Sequence, residues 1–154
     1  MPNHSYALGG RTVATAATAN HVAAQLWNPS TTIPIWVRQL WVCSTTAGVS
    51  NLAVNRSNAR GATPTATVTP DIDSDLEKYV TPTTATVLEL ATFGTQPTLD
   101  APAMYRWNLP AVIGAGFIFV WDPPIKVPPA SGLCLYTPTA VILPASDITF
   151  VWDE

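Results

Sequence analysis

Charge is what this chain has least of. Asp, Glu, Lys and Arg make up 11% of its 154 residues, against roughly 25% in an ordinary soluble domain, and the formal net charge is −3. The Lys and Arg residues are scattered, with only Arg56 and Arg60 close together. No basic stripe exists to track a phosphate backbone, which argues against nucleic-acid binding. Long apolar runs are also missing. The longest nearly apolar stretch, Ala111 to Trp121, is about half of the roughly 20 residues a helical membrane span needs, so it reads as a core strand and no membrane is expected as a partner. The opening Met1-Pro2-Asn3-His4-Ser5 has neither a basic nor an apolar signal region, and synthesis in a cytosol is expected.

Reactive side chains are as scarce as charged ones. His4 and His21 are the only histidines. His21 would have to be the base of any Ser-His-Asp or Cys-His arrangement, yet no Gly-x-Ser-x-Gly elbow or reactive-cysteine context accompanies it. It is expected at a surface or strand end. Cys43 and Cys134, in the apolar runs Leu40-Trp41-Val42-Cys43 and Leu133-Cys134-Leu135, lack zinc or redox spacing and read as buried free thiols, with a disulfide between neighbouring strands as the alternative.

The acidic segment Asp71-Ile72-Asp73-Ser74-Asp75-Leu76-Glu77 spaces its carboxylates like a calcium loop, but Leu76 and Pro82 occupy the sixth and twelfth positions, where Gly and Glu are required. It reads as a solvated, helix-capping turn. Nothing fixes the separation of this cluster from Glu89 as a glycosidase carboxylate pair would need. Gly9-Gly10 precedes Arg11-Thr12, not a phosphate-loop Lys, and reads as a turn. Asn3-His4-Ser5 and Asn55-Arg56-Ser57 fit the glycosylation pattern by chance. No catalytic residue, cofactor or metal ligand is expected, and the chain does not read as an enzyme.

What is present is β-forming. Thr and Ala number 21 each, and 15 Pro and 8 Gly punctuate the chain, so no helical pattern outlasts about two turns. The clearest strand is Ile33–Cys43, where Ile35, Val37, Gln39 and Trp41 alternate with Trp36, Arg38, Leu40 and Val42. One face is expected on the core and the other on a neighbour. Further strands are expected at 11–17, 21–27, 52–56, 65–69, 86–92, 104–109, 116–121, 132–136 and 147–152, and one short helix at Asp71–Val80. An all-β, single-domain, jelly-roll-like β-sandwich over 21–154 follows, with residues 1–20 as an extended N-terminal arm. Phe-Val-Trp-Asp occurs at Phe119–Asp122 and again at Phe150–Asp153, which suggests equivalent strands from the two halves of the sandwich. The repeated Thr-Pro-Thr, starting at Thr63, Thr81 and Thr137, suits edges and turns.

Six tryptophans remain. Trp41, Trp121 and Trp152 lie on strongly apolar strands and are expected in the core. Trp36 beside Arg38 and Trp107 beside Arg106 are expected at an interface. Tyr6 and Leu8 of the arm complete the candidate contact residues. So little charge leaves apolar and Ala/Thr surface that oligomerisation would cover.

From Leu26 to Trp152 the order of segments carries a resemblance. The segments are Leu26-Trp27-Asn28-Pro29-Ser30, Arg56-Ser57-Asn58-Ala59-Arg60-Gly61, Thr95-Gln96-Pro97-Thr98-Leu99, Pro124-Ile125-Lys126-Val127-Pro128-Pro129-Ala130-Ser131-Gly132-Leu133 and Ala145–Trp152. Together they resemble the small β-sandwich structural proteins of tailed bacteriophages, and among these they are most similar to capsid decoration, or cement, proteins. The resemblance implies a virion protein on the capsid exterior, a small homo-oligomer with trimers favoured, bridging subunits of the major capsid protein without catalysis. The alternative is a carbohydrate-binding jelly roll of a receptor-binding, tail or fibre component, which would require aromatics exposed in a groove with polar side chains alongside.

Overall fold

The computed structural model describes residues 4–69 and 83–154. The strands are β1 (Ser5–Arg11), β2 (His21–Asn28), β3 (Ile35–Ser44), β4 (Ser50–Ala59), β5 (Ala62–Val68), β6 (Val87–Thr95), β7 (Thr98–Leu99), β8 (Tyr105–Leu109), β9 (Gly116–Val127), β10 (Ser131–Thr137) and β11 (Ser146–Asp153). The expected helix at Asp71–Val80 lies outside the described residues.

Two sheets form. One has the order β1-β11-β3-β9; the other runs β5-β6-β2-β10-β4-β7, with β8 also on β4. The pairs β1·β11, β2·β10, β3·β9 and β4·β8 are all antiparallel and nest inside one another along the chain. That is one long ribbon rolled up on itself, the pairing of a jelly roll. Apolar side chains such as Leu26, Leu40, Leu133, Phe150 and Trp152 fill the space between the sheets. The long insertion between β4 and β8 does two things: β5 and β6 widen the second sheet past β2, and Leu99 and Ala103 pack on a smaller cluster of Val22, Ala53, Phe93, Cys134 and Tyr136. With cover on both faces, every residue of β2 is buried.

Every strand expected from His21 onward has its counterpart, but several placements differ. Residues 5–11, assigned to an arm, form the edge strand β1, paired with β11 from Ser5↔Asp153 to Arg11↔Asp147. The expected strand over 11–17 is irregular, because Thr12 and Thr15 turn inward to bond Ser146 and Leu143. Gly9-Gly10 is not a turn but part of β1, where a Cβ on Gly10 would sit 2.3 Å from Leu90 Cδ1; the glycine lets β1 approach the other sheet closely.

On β3 the simple alternation fails. The register shifts between Val37 and Gln39, a bulge that changes which residues face inward. Ile35, Val37, Leu40 and Val42 are therefore all buried, and Trp36, Gln39 and Trp41 lie on the outside with Arg38. Trp121 and Trp152 are core as expected, but Trp41 is 46% exposed. The two Phe-Val-Trp-Asp strands belong to one sheet, not to opposite halves: Phe119 and Phe150 flank Leu40 from either side. Thr63-Pro64-Thr65 lies on the edge strand β5 and Thr137-Pro138-Thr139 ends β10, as the edge and turn reading requires, while Thr81 and Pro82 of the third copy lie outside the described residues. Asn55 is 2% exposed, so its glycosylation triplet is inaccessible in the fold.

Candidate assembly surface at one end of the sandwich

Four connections leave the sandwich at the same end. Residues 12–20, 45–49, 110–115 and 138–145 start or finish beside the pairs Arg11↔Asp147, Ser44↔Ser146, Cys43↔Gly116, His21↔Thr137 and Ser50↔Leu109. None of the four contains Asp, Glu, Lys or Arg.

Their polar groups turn inward. Thr15 N–H donates to Leu143 O (3.0 Å) and Thr45 N–H to Ala145 O (2.7 Å), while Leu143 N–H donates to Thr15 Oγ1 (2.9 Å). The Ser44 hydroxyl donates towards Val112 O (2.9 Å) and Ala115 O (3.0 Å). Thr12, Thr15, Ser44 and Ser146 are all buried. With backbone and hydroxyl polarity satisfied beneath the surface, aliphatic side chains are left outside: Val13, Val49, Val112, Ile113 and Ile142 are 49–68% exposed. Exposed apolar patches are where protein, ligand or membrane contacts concentrate, which makes this end a candidate contact surface. A groove of about 480 Å³ crosses it, lined by Ala14, Ala17, Thr46–Val49, Ala140–Ile142 and Pro144. Charges flank it: Arg11 Nε and Nη2 donate to the two oxygens of Asp147 at 2.7 and 3.0 Å, and Asp100 and Arg106 line a separate pocket with Ala19 and Asn20. The Arg11 guanidinium holds the Asp147 carboxyl below its usual range, and the carboxylate raises Arg11 in turn.

The apolar surface continues onto the outer face of the four-stranded sheet. Ile118 and Val120 of the terminal strand β9 are 59% and 65% exposed beside Trp41. A shallow hollow of about 500 Å³ runs from Trp41 and Ile118 to Gly114. Thus the run Ala111–Trp121, expected as a core strand, is a loop followed by a strand with one face outside. Its inward side chains Phe117 and Phe119 meet Trp107 at ring distances of 4.6 and 4.5 Å, closing the sandwich between the edge strands β8 and β9.

The sequence-selected contact residues do not converge. Leu8 is 6% exposed and belongs to the core, where it presents little surface to a partner. Tyr6 is half-buried, its ring stacked on Trp152 at 5.6 Å. Trp107 is half-buried within the aromatic closure and Arg106 is exposed next to it on β8. Trp36 and Arg38 share a third place: with Pro124 and Asp153 they line a groove of about 300 Å³. There Asp153 accepts from Ser5 Oγ at 2.6 Å and from Arg38 Nε. The surface at the loop end was missed; its signal was the absence of charge from four segments of Thr, Ala, Val and Ile.

His21 opens β2 and is largely buried, and burial lowers its pKa. Among the described residues no group of three or more His, Cys, Asp or Glu comes together to hold a metal. The cysteines are free, Cys134 buried but Cys43 exposed against expectation, because the β3 bulge turns it outward. Burial pushes the Cys134 thiol up to about 12. A thiol reagent at about pH 8 is therefore expected to label one cysteine per native chain and two after unfolding, counted by mass spectrometry; rapid native labelling of both would contradict the burial of Cys134. An unfolded thiol ionises near about 8.5. The stability linked to Cys134 is thus complete below that pH and falls as pH climbs towards 12.

No protein-family model, no curated protein and no solved structure matches this chain.

Proposed function

We propose that this chain is a structural protein of a bacteriophage virion: a decoration, or cement, protein that docks on the capsid exterior as a homo-oligomer, with a trimer favoured, and bridges major capsid protein subunits. The observation that carries this reading is the charge-free end with its exposed Val and Ile side chains. The outer face around Trp41, Ile118 and Val120 adds a second apolar surface. Two such surfaces suit a subunit that touches both its own copies and a shell, because both are largely apolar and the one charge in the hollow of the outer face, Asp147, is already paired with Arg11. A protein that binds only the assembled lattice stabilises it by mass action, and several linked subunits multiply the effect by raising the local concentration of each next contact.

The test is sedimentation of purified chain with expanded and unexpanded capsid shells. Co-sedimentation with expanded shells and a raised shell disassembly temperature are expected. A chain that stays in the supernatant with both would overturn the reading. One feature favours the carbohydrate-binding alternative: Trp36 faces a groove with Arg38 and Asp153, an aromatic beside charged groups. Asp153 is already engaged by Ser5 and Arg38, so that reading ranks second; glycan binding abolished by Trp36→Ala would reverse the order.

A further inference from the structure

We propose that the hollow between residues 96–103 and the start of β2 binds a neutral saccharide unit, with Arg106 and Asp100 as its two charged contacts. The inference goes beyond the virion role and does not depend on it.

The hollow is built on the outer face of the seven-stranded sheet. Val22, Tyr136, Ala53 and Arg106 are successive register neighbours on β2, β10, β4 and β8, so only the methyl of Ala53 stands between the phenol and the guanidinium. The segment before β8 borders this row and is pinned to the sheet at three points. Gln96 Oε1 accepts from Val22 N–H at 2.8 Å, Asp100 N–H donates to Arg56 O at 2.9 Å while Asp100 O accepts from Asn55 Nδ2, and Met104 N–H donates to Val54 O at 3.0 Å. The walls are therefore formed in advance, which spares a ligand the cost of ordering them. Asn20, in the left-handed region at φ 58°, lines the hollow from the β2 side. Its volume is about 520 Å³, within the roughly 300–1,000 Å³ of small-molecule sites.

The side chains select the ligand. Arg106 and Asp100 line the same hollow yet form no ion pair with each other, and among the described residues neither pairs with any other charge. Tyr136 is 4% exposed, and its hydroxyl makes no hydrogen bond among the described residues. Burial raises its pKa and the nearby Arg106 cation opposes the rise, which places the guanidinium within electrostatic reach of the phenol. Gln96 has its carbonyl committed to Val22, which leaves its two amide N–H groups as donors. An anion would meet Asp100 and a cation would meet Arg106. A sugar carries neither penalty, and each of its hydroxyls both donates and accepts, so neighbouring hydroxyls can take an N–H from Arg106 and give one O–H to Asp100. Pro97, Leu99, Pro102 and Ala103 supply apolar ground for the C–H face of the ring.

The experiment is saturation-transfer NMR on the full chain with the methyl glycosides of glucose, galactose, mannose and N-acetylglucosamine. At least one is expected to bind with a dissociation constant on the order of 1 mM. Arg106→Ala and Asp100→Asn are each expected to weaken it by about tenfold, the loss of one hydrogen bond to a charged group. Both residues are exposed and the backbone of Asp100, not its side chain, holds the segment, so circular dichroism and the unfolding midpoint should match the native chain. Trp36→Ala should leave this binding unchanged, which separates the hollow from the groove beside Arg38. Glycine and acetate, a zwitterion and an anion, should not displace the glycoside. Absence of binding by all four glycosides, an affinity unchanged in either hollow variant, or displacement by glycine or acetate overturns the proposal. Shell co-sedimentation is read separately, so failure here does not decide the virion role.

Discussion

Trp152→Ala is expected to lower folding stability by about 3–5 kcal/mol, the range for removing a large aromatic side chain from a packed core. Trp152 is fully buried and lies on β11 between Tyr6 of β1 and Val37 of β3. Its ring stacks on Tyr6 with planes 28° apart. The loss would consume a large part of the 5–15 kcal/mol typical of a domain. Tyr6→Ala removes the half-exposed partner and is expected to cost only about 1 kcal/mol beyond its lost area. Urea denaturation followed by tryptophan fluorescence measures both. A cost below about 1 kcal/mol for Trp152→Ala would mean that β1 and β11 are not packed as described.

The second large effect concerns a polar row across the outer face of the other sheet. Glu89, Gln25, Cys134 and Asn55 are register neighbours on β6, β2, β10 and β4. Gln25 Nε2 donates to Ser57 Oγ at 2.7 Å and to Ala59 O at 3.2 Å, and Gln25 Oε1 accepts from Gly61 N–H at 3.0 Å. Asn55 Nδ2 donates to Asp100 O. The row thereby ties the insertion to the sheet. Glu89 is its charged member: the side chain is 1% exposed, one oxygen meets the Arg60 guanidinium at 2.6 Å, and the other has no hydrogen-bond partner among the described residues. Arg60→Ala strands that carboxylate and is expected to cost up to about 3 kcal/mol, the low end of the range for breaking a buried pair, because Arg60 itself is half-exposed. Combining it with Glu89→Gln should recover part of the loss, a coupling that a double-mutant cycle in urea reads directly. Additive costs would show that the pair is not coupled.

Legibility followed the reach of the signals. Strands β2, β10 and β11 combine apolar runs with Gly, Pro or Asn punctuation, and residues alone located them. The β3 bulge has no such marker: an inserted residue such as Arg38 looks like one more step of the alternation, so the pattern alone places Trp41 and Cys43 inward. Gly9-Gly10 reads as a turn because a sequence cannot display Leu90 pressing against β1. The charge-free segments were visible as composition, but their convergence depends on pairing between distant residues, such as Thr15 with Leu143. Tryptophan and arginine are the residue types of interface hot spots. The exposed end is built of Val, Ile and Ala instead.

The first strand of the four-stranded sheet pairs with the last, Ser5 opposite Asp153, and among the described residues no other strand flanks the first. During synthesis, residues 5–11 therefore wait for β11 as their strand partner until 146–153 have left the ribosome. Such non-local closure is slow, and Tyr6 and Leu8 stay uncovered throughout, open to any extended segment that reaches them before their own does.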